Sequence, residues 1–296
     1  MKRCNIRWLI AAVPLAVACA AVRVWQLNTA FEGAYGLPIP MAPASVILLA
    51  LLVITAGVFA LLGLKQPVNR KIMQYPRLAI YAPGDSVFAV AAVIAALLSL
   101  MAAPFLFLDG WKHWTEYQAI KNAAFVDGSV PGGNNGILML AAAFMSVLAF
   151  FGIVLTAKSC ARGGRKGRMG ILAAVVNGCL WLMELYRGHA AEPVRWSYGP
   201  MLVAAVFGIL LYLNFAGLLT NIPAPRRTLW LAGMTVVISA VALAGEWDVS
   251  SALLSAAQIF LALAVLWRTP NNLAYPPDFS EVEDRAEEKV EEETHE

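Results

Sequence analysis

Eight long runs of apolar residues divide this sequence of 296 residues, and mostly short polar segments separate them. A helix rises 1.5 Å per residue, so about 20 apolar residues cross the roughly 30 Å hydrocarbon core of a bilayer. A transmembrane β-barrel would instead show segments of about ten residues with alternating polarity. We therefore predict an all-α, polytopic integral membrane protein, a bundle of about eight transmembrane helices. The predicted spans cover residues 8–24, 44–64, 86–108, 137–157, 169–186, 199–220, 228–245 and 251–267.

The segment Lys158–Arg168, read as KSCARGGRKGR, sets the orientation of these spans. It holds five basic residues between two apolar runs. Lys and Arg near helix ends favour the cytoplasmic side, so we expect this segment and both termini to be cytoplasmic. Asp109–Asn135 and Arg187–Tyr198 are then outside, and Asn221–Arg227 is inside. The predicted location is a bacterial-type plasma membrane, the inner membrane where there are two.

The two ends of the chain need separate interpretation. Residues 278–296 hold ten acidic and two basic residues, whereas the rest of the chain is basic. We predict a transmembrane body over residues 1–268 and an acidic, disordered cytoplasmic tail over residues 269–296. At the N-terminus, Ala18-Cys19-Ala20 resembles a signal-peptidase site. The apolar run continues past it to the interfacial residue Trp25, so we expect the first span to be retained.

The sequence contains none of the common motifs for nucleotide binding, metalloproteases or serine hydrolases. GxxxxGK[ST], HExxH and GxSxG are absent, and no His lies within a predicted span. We therefore assign no catalytic residue and expect no cofactor. The basic residues are spread over several loops, so nucleic acid is not an expected partner. The expected partners are the lipid bilayer, a small-molecule ligand and other membrane proteins.

Five polar or charged residues within the predicted spans are candidate site residues, because such groups are costly in hydrocarbon. They are Arg23, Asn177, Glu184, Asn214 and Gln258. Arg23 and Glu184 each lie about 22 Å from the cytoplasmic end of their span by helix rise. They can form an ion pair between the first and fifth spans, or each can reach the headgroups separately.

The three amide residues lie at similar depths, about 9 to 13 Å from the cytoplasmic ends of their spans. They can hydrogen-bond across helices or line a polar path, and packing is the favoured interpretation because such contacts are common in bundles. In the fifth span, small and polar residues recur at helical spacing, which predicts a stripe that faces the bundle rather than lipid. The stripe consists of Gly170, Ala174, Asn177, Trp181 and Glu184.

The predicted outer loops hold aromatic residues and two His-x-x-Glu pairs. The spacing of the aromatic residues after residue 108 indicates a helix lying along the headgroups. The candidates for stacking on a ligand are Trp111, Trp114, Tyr117 and Trp196. The candidate ligands for zinc or a similar ion are His113, Glu116, His189 and Glu192. Such short matches arise easily by chance, and the alternative is a solvated loop surface.

These features predict a transporter or permease-like protein for a small solute. The polar stripe of the fifth span and the amides at similar depth support this prediction. The alternative is a non-catalytic membrane subunit or sensor that binds a ligand or partner through its aromatic outer loops. A membrane enzyme that uses the outer His and carboxylate residues is a third interpretation, and we favour a protein without enzymatic activity.

Overall fold

The computed structural model describes residues 6–31, 37–127, 135–163, 167–189, 198–245 and 248–277, with the backbone alone at residues 123–127 and 189. These residues form helices α1 to α9 and two short 3₁₀ helices, Pro76–Ile80 and Arg168–Gly170. Eight of the helices are long and apolar enough to cross a membrane. The predicted all-α, multi-pass membrane bundle is thus confirmed. The helices are α1 (Arg7–Thr29), α2 (Pro43–Lys65), α3 (Arg70–Gln74), α4 (Ser86–Asp127), α5 (Gly136–Arg162), α6 (Ile171–His189), α7 (Gly199–Leu219), α8 (Pro225–Leu243) and α9 (Val249–Ala274).

Helices that follow one another in the chain mostly pack side by side. α4 also packs along α9, and α1 packs on α2 and α8. α8 is buried on most sides, whereas α2 is exposed over most of its length. A bundle in lipid needs no polar outer surface, so exposed apolar side chains on α2 and α4 are expected where helices contact hydrocarbon.

One end of the bundle carries the basic loops, and we call it the basic end. It comprises residues 66–85, 158–163, 167–170, 220–227 and 268–274. Ala82 N donates to Cys160 O at 3.0 Å, and Asn69 N donates to Leu273 O at 3.1 Å. The opposite end, where α5, α7 and α9 begin, is called the aromatic end. The predicted topology requires the basic loops to lie together at one end of the bundle, as they do here. The side of the membrane that each end faces stays a prediction.

α4 differs from the prediction at its C-terminal end. A span over residues 86–108 and a separate helix along the headgroups were expected, but one helix of 42 residues runs through both. The prediction of a separate interfacial helix is therefore wrong. At Gly110 the helix is in close contact with α5, since a Cβ on that residue would lie 2.9 Å from Met139 Cβ. Close packing there supports a continuous helix through a residue that usually weakens helices.

α9 also continues beyond its predicted end at residue 267. The expected disordered tail began at residue 269, but the helix extends to Ala274. The cause is a tertiary contact: Asn272 Nδ2 lies 2.7 Å from Tyr81 O, 2.9 Å from Leu78 O and 3.2 Å from Ala79 O. The last turns of α9 thus hold the segment 66–85 against the bundle. Residues 278–296 of the predicted tail lie outside the described residues.

Candidate functional site

The polar stripe predicted in the fifth span lies on α6 and faces the bundle over most of its length. Ala174, Asn177 and Trp181 are buried, while Glu184 is half-buried near the aromatic end. Hydrocarbon cannot solvate an amide, so Asn177 has to face other helices. The prediction for this stripe is confirmed at these three buried residues.

A small cavity lies beside this stripe, where α4, α5, α6, α7 and α9 converge near the middle of the bundle. Its volume is about 10 Å³, which is close to the space of one water molecule. Two of the predicted amides, Asn177 and Gln258, are brought together here. The full lining is Ser99, Ala149, Ala174, Asn177, Gly178, Trp181, Tyr212, Leu254 and Gln258.

A serine holds each of these two amides at one end. Ser146 Oγ donates to Asn177 Oδ1 at 3.1 Å, and Ser239 Oγ donates to Gln258 Oε1 at 3.3 Å. A hydroxyl can donate or accept, so one end of each amide is bonded whichever way the amide group is turned. Gly208 leaves room for the Gln258 amide, because a Cβ there would lie 2.0 Å from Nε2. Both amides therefore have fixed positions.

Other polar groups at the cavity make no hydrogen bond with any described residue. They are the second end of each amide and the hydroxyl of Tyr212, whose residue is 5% exposed. Polar groups beside a cavity of this size can bind a water molecule or a polar group of a ligand. Three helices thus present hydrogen-bonding groups to one central space.

Trp181 closes the cavity on the side of the aromatic end. Its indole Nε1 donates to Ser251 Oγ at 3.0 Å, and Ser251 N donates to the carboxylate of Asp248 at 3.1 Å. Glu184 lies further along α6 toward the aromatic end and is half-buried. The side of the cavity that faces the aromatic end is therefore covered by one hydrogen-bonded layer.

The cavity is closed toward the basic end by apolar packing. Side chains from α4, α5, α6, α7 and α9 meet there with no space for a water molecule between them. They include Phe88, Ile153, Ile171, Phe215 and Leu261. Tightly packed side chains therefore lie between the cavity and the basic end.

Neither a protein-family model nor a curated protein nor a solved structure matches this chain. Its function must therefore be argued from the site itself.

Arg23 is buried, but its described contacts differ from the predicted ion pair. One guanidinium nitrogen donates to Gln26 Oε1 at 2.6 Å, and the group lies 5.9 Å from the ring centre of Phe31. It also lies beside the C-terminal end of α8, because a Cβ on Gly245 would be 3.7 Å from Nη2. The partial negative charge of a helix C-terminus favours a cation there. The described contacts give no support to the pair with Glu184, which stays a prediction.

Asn214 does not join the cavity. Its Nδ2 donates to Leu210 O of the same helix at 2.7 Å, and its side chain is half-buried. The predicted depth along the helix was similar for all three amides, so depth alone could not show that Asn214 lies away from the cavity. Its position around the axis of α7 is the reason, because Tyr212 rather than Asn214 faces the cavity.

The predicted aromatic ligand candidates on α4 contact one another. Trp111 is 52% exposed, stacks on Phe107 with ring centres 6.3 Å apart, and meets Trp114 edge to face at 5.8 Å. Tyr117 is half-buried on the same helix, and Trp196 lies outside the described residues. These contacts form an aromatic surface rather than a pocket.

The predicted metal ligands are only partly described. His113 Nδ1 lies 3.7 Å from Glu116 Oε2 on an exposed face of α4. The side chain of His189 and the whole of Glu192 lie outside the described residues. Among the residues that the structure describes, no group of three or more metal-binding side chains is present.

The candidate site residues predicted from the sequence did not include four residues that line the cavity or contact its amides: Tyr212, Ser99, Ser146 and Gly208. Tyr212 carried a usable signal, because a phenol in the middle of an apolar run is a polar group in hydrocarbon. The two serines and the glycine carried no such signal, since small residues are common throughout membrane helices.

Proposed function

We propose that the protein is a transporter for a small polar solute, and that the solute passes through the central cavity. The observation that supports this proposal is the convergence of unbonded polar groups from α6, α7 and α9 on one space in the middle of the bundle. Amide and phenol groups bind uncharged polar groups such as carbonyls and hydroxyls. The proposed substrate is therefore small, polar and uncharged at its bound end.

The closing layers on both sides support the same proposal. A transporter with alternating access holds its site near the bilayer midplane and opens one side at a time. Here the bond between Trp181 and Ser251 joins α6 to α9 on one side, and apolar contacts close the other. Opening would separate α6 from α9 and lose one hydrogen bond, so this layer is an inexpensive gate.

Packing alone explains only part of the site. The two serine bonds hold the amides in place and stabilise helix contacts. The Tyr212 hydroxyl stabilises no such contact with a described residue, so phenylalanine would fill the same volume without a polar group to satisfy. Its presence supports a role in binding.

The test is uptake by purified protein in proteoliposomes, against a panel of small neutral and charged metabolites. Tyr212→Phe should lower uptake of the transported solute about tenfold or more, since it removes one hydrogen bond to the bound solute. Tyr186→Phe is the matched control, because Tyr186 is exposed on α6. Unchanged uptake in Tyr212→Phe would show that the cavity is not on the path.

The second candidate function is a membrane subunit or sensor. α4 continues past the point where Gly110 meets Gly136 at the start of α5, so its last turns extend beyond that contact. The exposed Trp111 lies at this level. Cross-linking from α4 to another membrane protein in cells, together with no uptake of any panel member, would favour this function over transport.

A further inference from the structure

The two serines that bond to the cavity amides differ from other buried hydroxyls of the bundle. Several of those donate their proton to the carbonyl four residues earlier in their own helix. They are Thr55, Ser99, Thr156 and Thr235. Ser146 and Ser239 make no such bond to a carbonyl of the described chain. The amide oxygen beside each of them is the acceptor that the structure offers to its proton.

This difference decides which end of each amide meets the cavity. A serine proton turned toward an NH₂ group would lose its acceptor, and a buried donor without an acceptor is costly. The amide oxygen of Asn177 therefore faces Ser146, and that of Gln258 faces Ser239. The NH₂ group, which only donates, is the end of each amide that remains for the cavity. α6 and α9 thus present N–H donors to the same space.

Two hydroxyl groups complete the polar lining. The hydroxyl of Tyr212 can donate or accept. Ser99 Oγ already donates to Ala95 O at 3.1 Å, so it offers the cavity only an acceptor. Among the described lining residues none is charged, and a charged group of a solute would lose its hydration there without a counter-charge. The site therefore combines a majority of donors with one acceptor and no net charge.

We propose that the cavity selects a carboxamide group, whose carbonyl oxygen accepts from Asn177 and Gln258 and whose N–H donates to Ser99. Amines and amidinium groups bring donors to a site that already supplies donors, so they are poor ligands. The space of about 10 Å³ holds one oxygen-sized group, and the rest of a solute enters as α6 and α9 separate. This inference rests on the proposed function, because it names the substrate class of the same cavity.

Three probes of the same shape test this hydrogen-bond pattern. Acetamide is neutral and carries a carbonyl acceptor beside N–H donors. Acetamidinium is a cation with donors only, and acetate is an anion with acceptors only. Binding to the full chain in detergent is measured by saturation-transfer NMR, which detects weak binding through the methyl group of each probe. The wild-type protein should bind acetamide about tenfold more tightly than either ion.

Variants of one cavity amide test its role as a donor. Asn177→Leu should weaken acetamide binding about tenfold, because it removes N–H donors from the site. Asn214→Leu is the matched control, since its amide bonds to its own helix, and it should bind acetamide as the wild-type protein does. Asn177→Asp replaces donors with acceptors, so it should bind acetamidinium more tightly than acetamide.

Ser146→Ala tests the serine as a positioning residue. Without the hydroxyl, the amide of Asn177 can turn its oxygen into the cavity and accept from a ligand. The preference for acetamide over acetamidinium should therefore fall several-fold, on the order of the effect of one hydrogen bond. A serine that only stabilises helix packing would leave this ratio unchanged, and an unchanged ratio would refute the assigned amide orientation.

The comparison of the three probes on the wild-type protein decides the proposal even if Asn177→Asp does not fold. Acetamidinium binding as tight as acetamide binding, or no acetamide binding, would overturn it. An equal loss in Asn214→Leu would overturn it as well. Acetamide binding without uptake of any panel member would refute transport and leave this inference standing. Tyr212-dependent uptake of a solute without a carboxamide would support transport and refute this inference alone.

Discussion

Replacing Gly152 with Ala tests a close backbone contact between α5 and the 3₁₀ helix Arg168–Gly170, which leads into α6. A Cβ on Gly152 would lie 2.2 Å from Gly170 O and 3.2 Å from Ala173 Cβ. In the reverse direction, a Cβ on Gly170 would lie 2.5 Å from Gly152 O. Backbone cannot rotate away as a side chain does, so the two helices must separate by about 1 Å to restore ordinary contacts.

The expected size of the effect follows from two opposing terms. Overpacking of a tight contact costs about 1–3 kcal/mol, and a backbone clash belongs at the upper end of that range. Alanine recovers about 1 kcal/mol in helix propensity over glycine. The net loss in the free energy of unfolding is therefore about 2 kcal/mol, which corresponds to a fall of about 4–8 °C in Tm.

The assay is thermal unfolding in detergent, followed by tryptophan fluorescence. Gly57→Ala is the matched control, because Gly57 lies within α2 and a Cβ there would have no neighbour within 4 Å. The control should leave Tm unchanged or raise it slightly. Equal Tm values for Gly152→Ala and Gly57→Ala would refute the inference that close glycine contacts join α5 to the 3₁₀ helix that leads into α6.

Three further predictions concern the cavity, the basic end and the topology. Gly208→Ala should displace the amide group of Gln258 and lower uptake in proteoliposomes, because the added Cβ would lie 2.0 Å from Gln258 Nε2. Asn272→Leu should cost about 1–3 kcal/mol and speed proteolysis within residues 66–85, whereas Asn214→Leu, which removes a bond to Leu210 O of its own helix, should not speed proteolysis there. Single cysteines at Ser129 and Ser197 should react with an impermeant thiol reagent in intact cells, and protection of both, with labelling of Cys160, would invert the predicted topology.

Much of the fold was predictable because hydrophobicity acts locally along the chain. Each apolar run had to form a helix that satisfies its own backbone, so the number of spans followed from composition and length. The inward face of α6 was predictable for the same reason, since Asn177 and Trp181 lie on one side of that helix. Basic residues also marked which loops share an end of the bundle.

The helix ends were less predictable because tertiary contacts extend them. α4 continues through Gly110, where it packs on α5, and no local signal in the sequence reports that neighbour. α9 continues to Ala274 because Asn272 bonds to carbonyls about 190 residues earlier in the chain. Local composition predicted a tail at residue 269, and a distant contact turned its start into helix.

The sequence by itself determined that polar groups lie inside a membrane bundle, because their cost in hydrocarbon does not depend on their neighbours. Only the tertiary structure decided which of them meet. Asn177 and Gln258 share a cavity with Tyr212, whereas Asn214 bonds to its own helix. The reason is that helix pairing and rotation depend on close contacts between small residues far apart in the chain, and such residues look alike in every span.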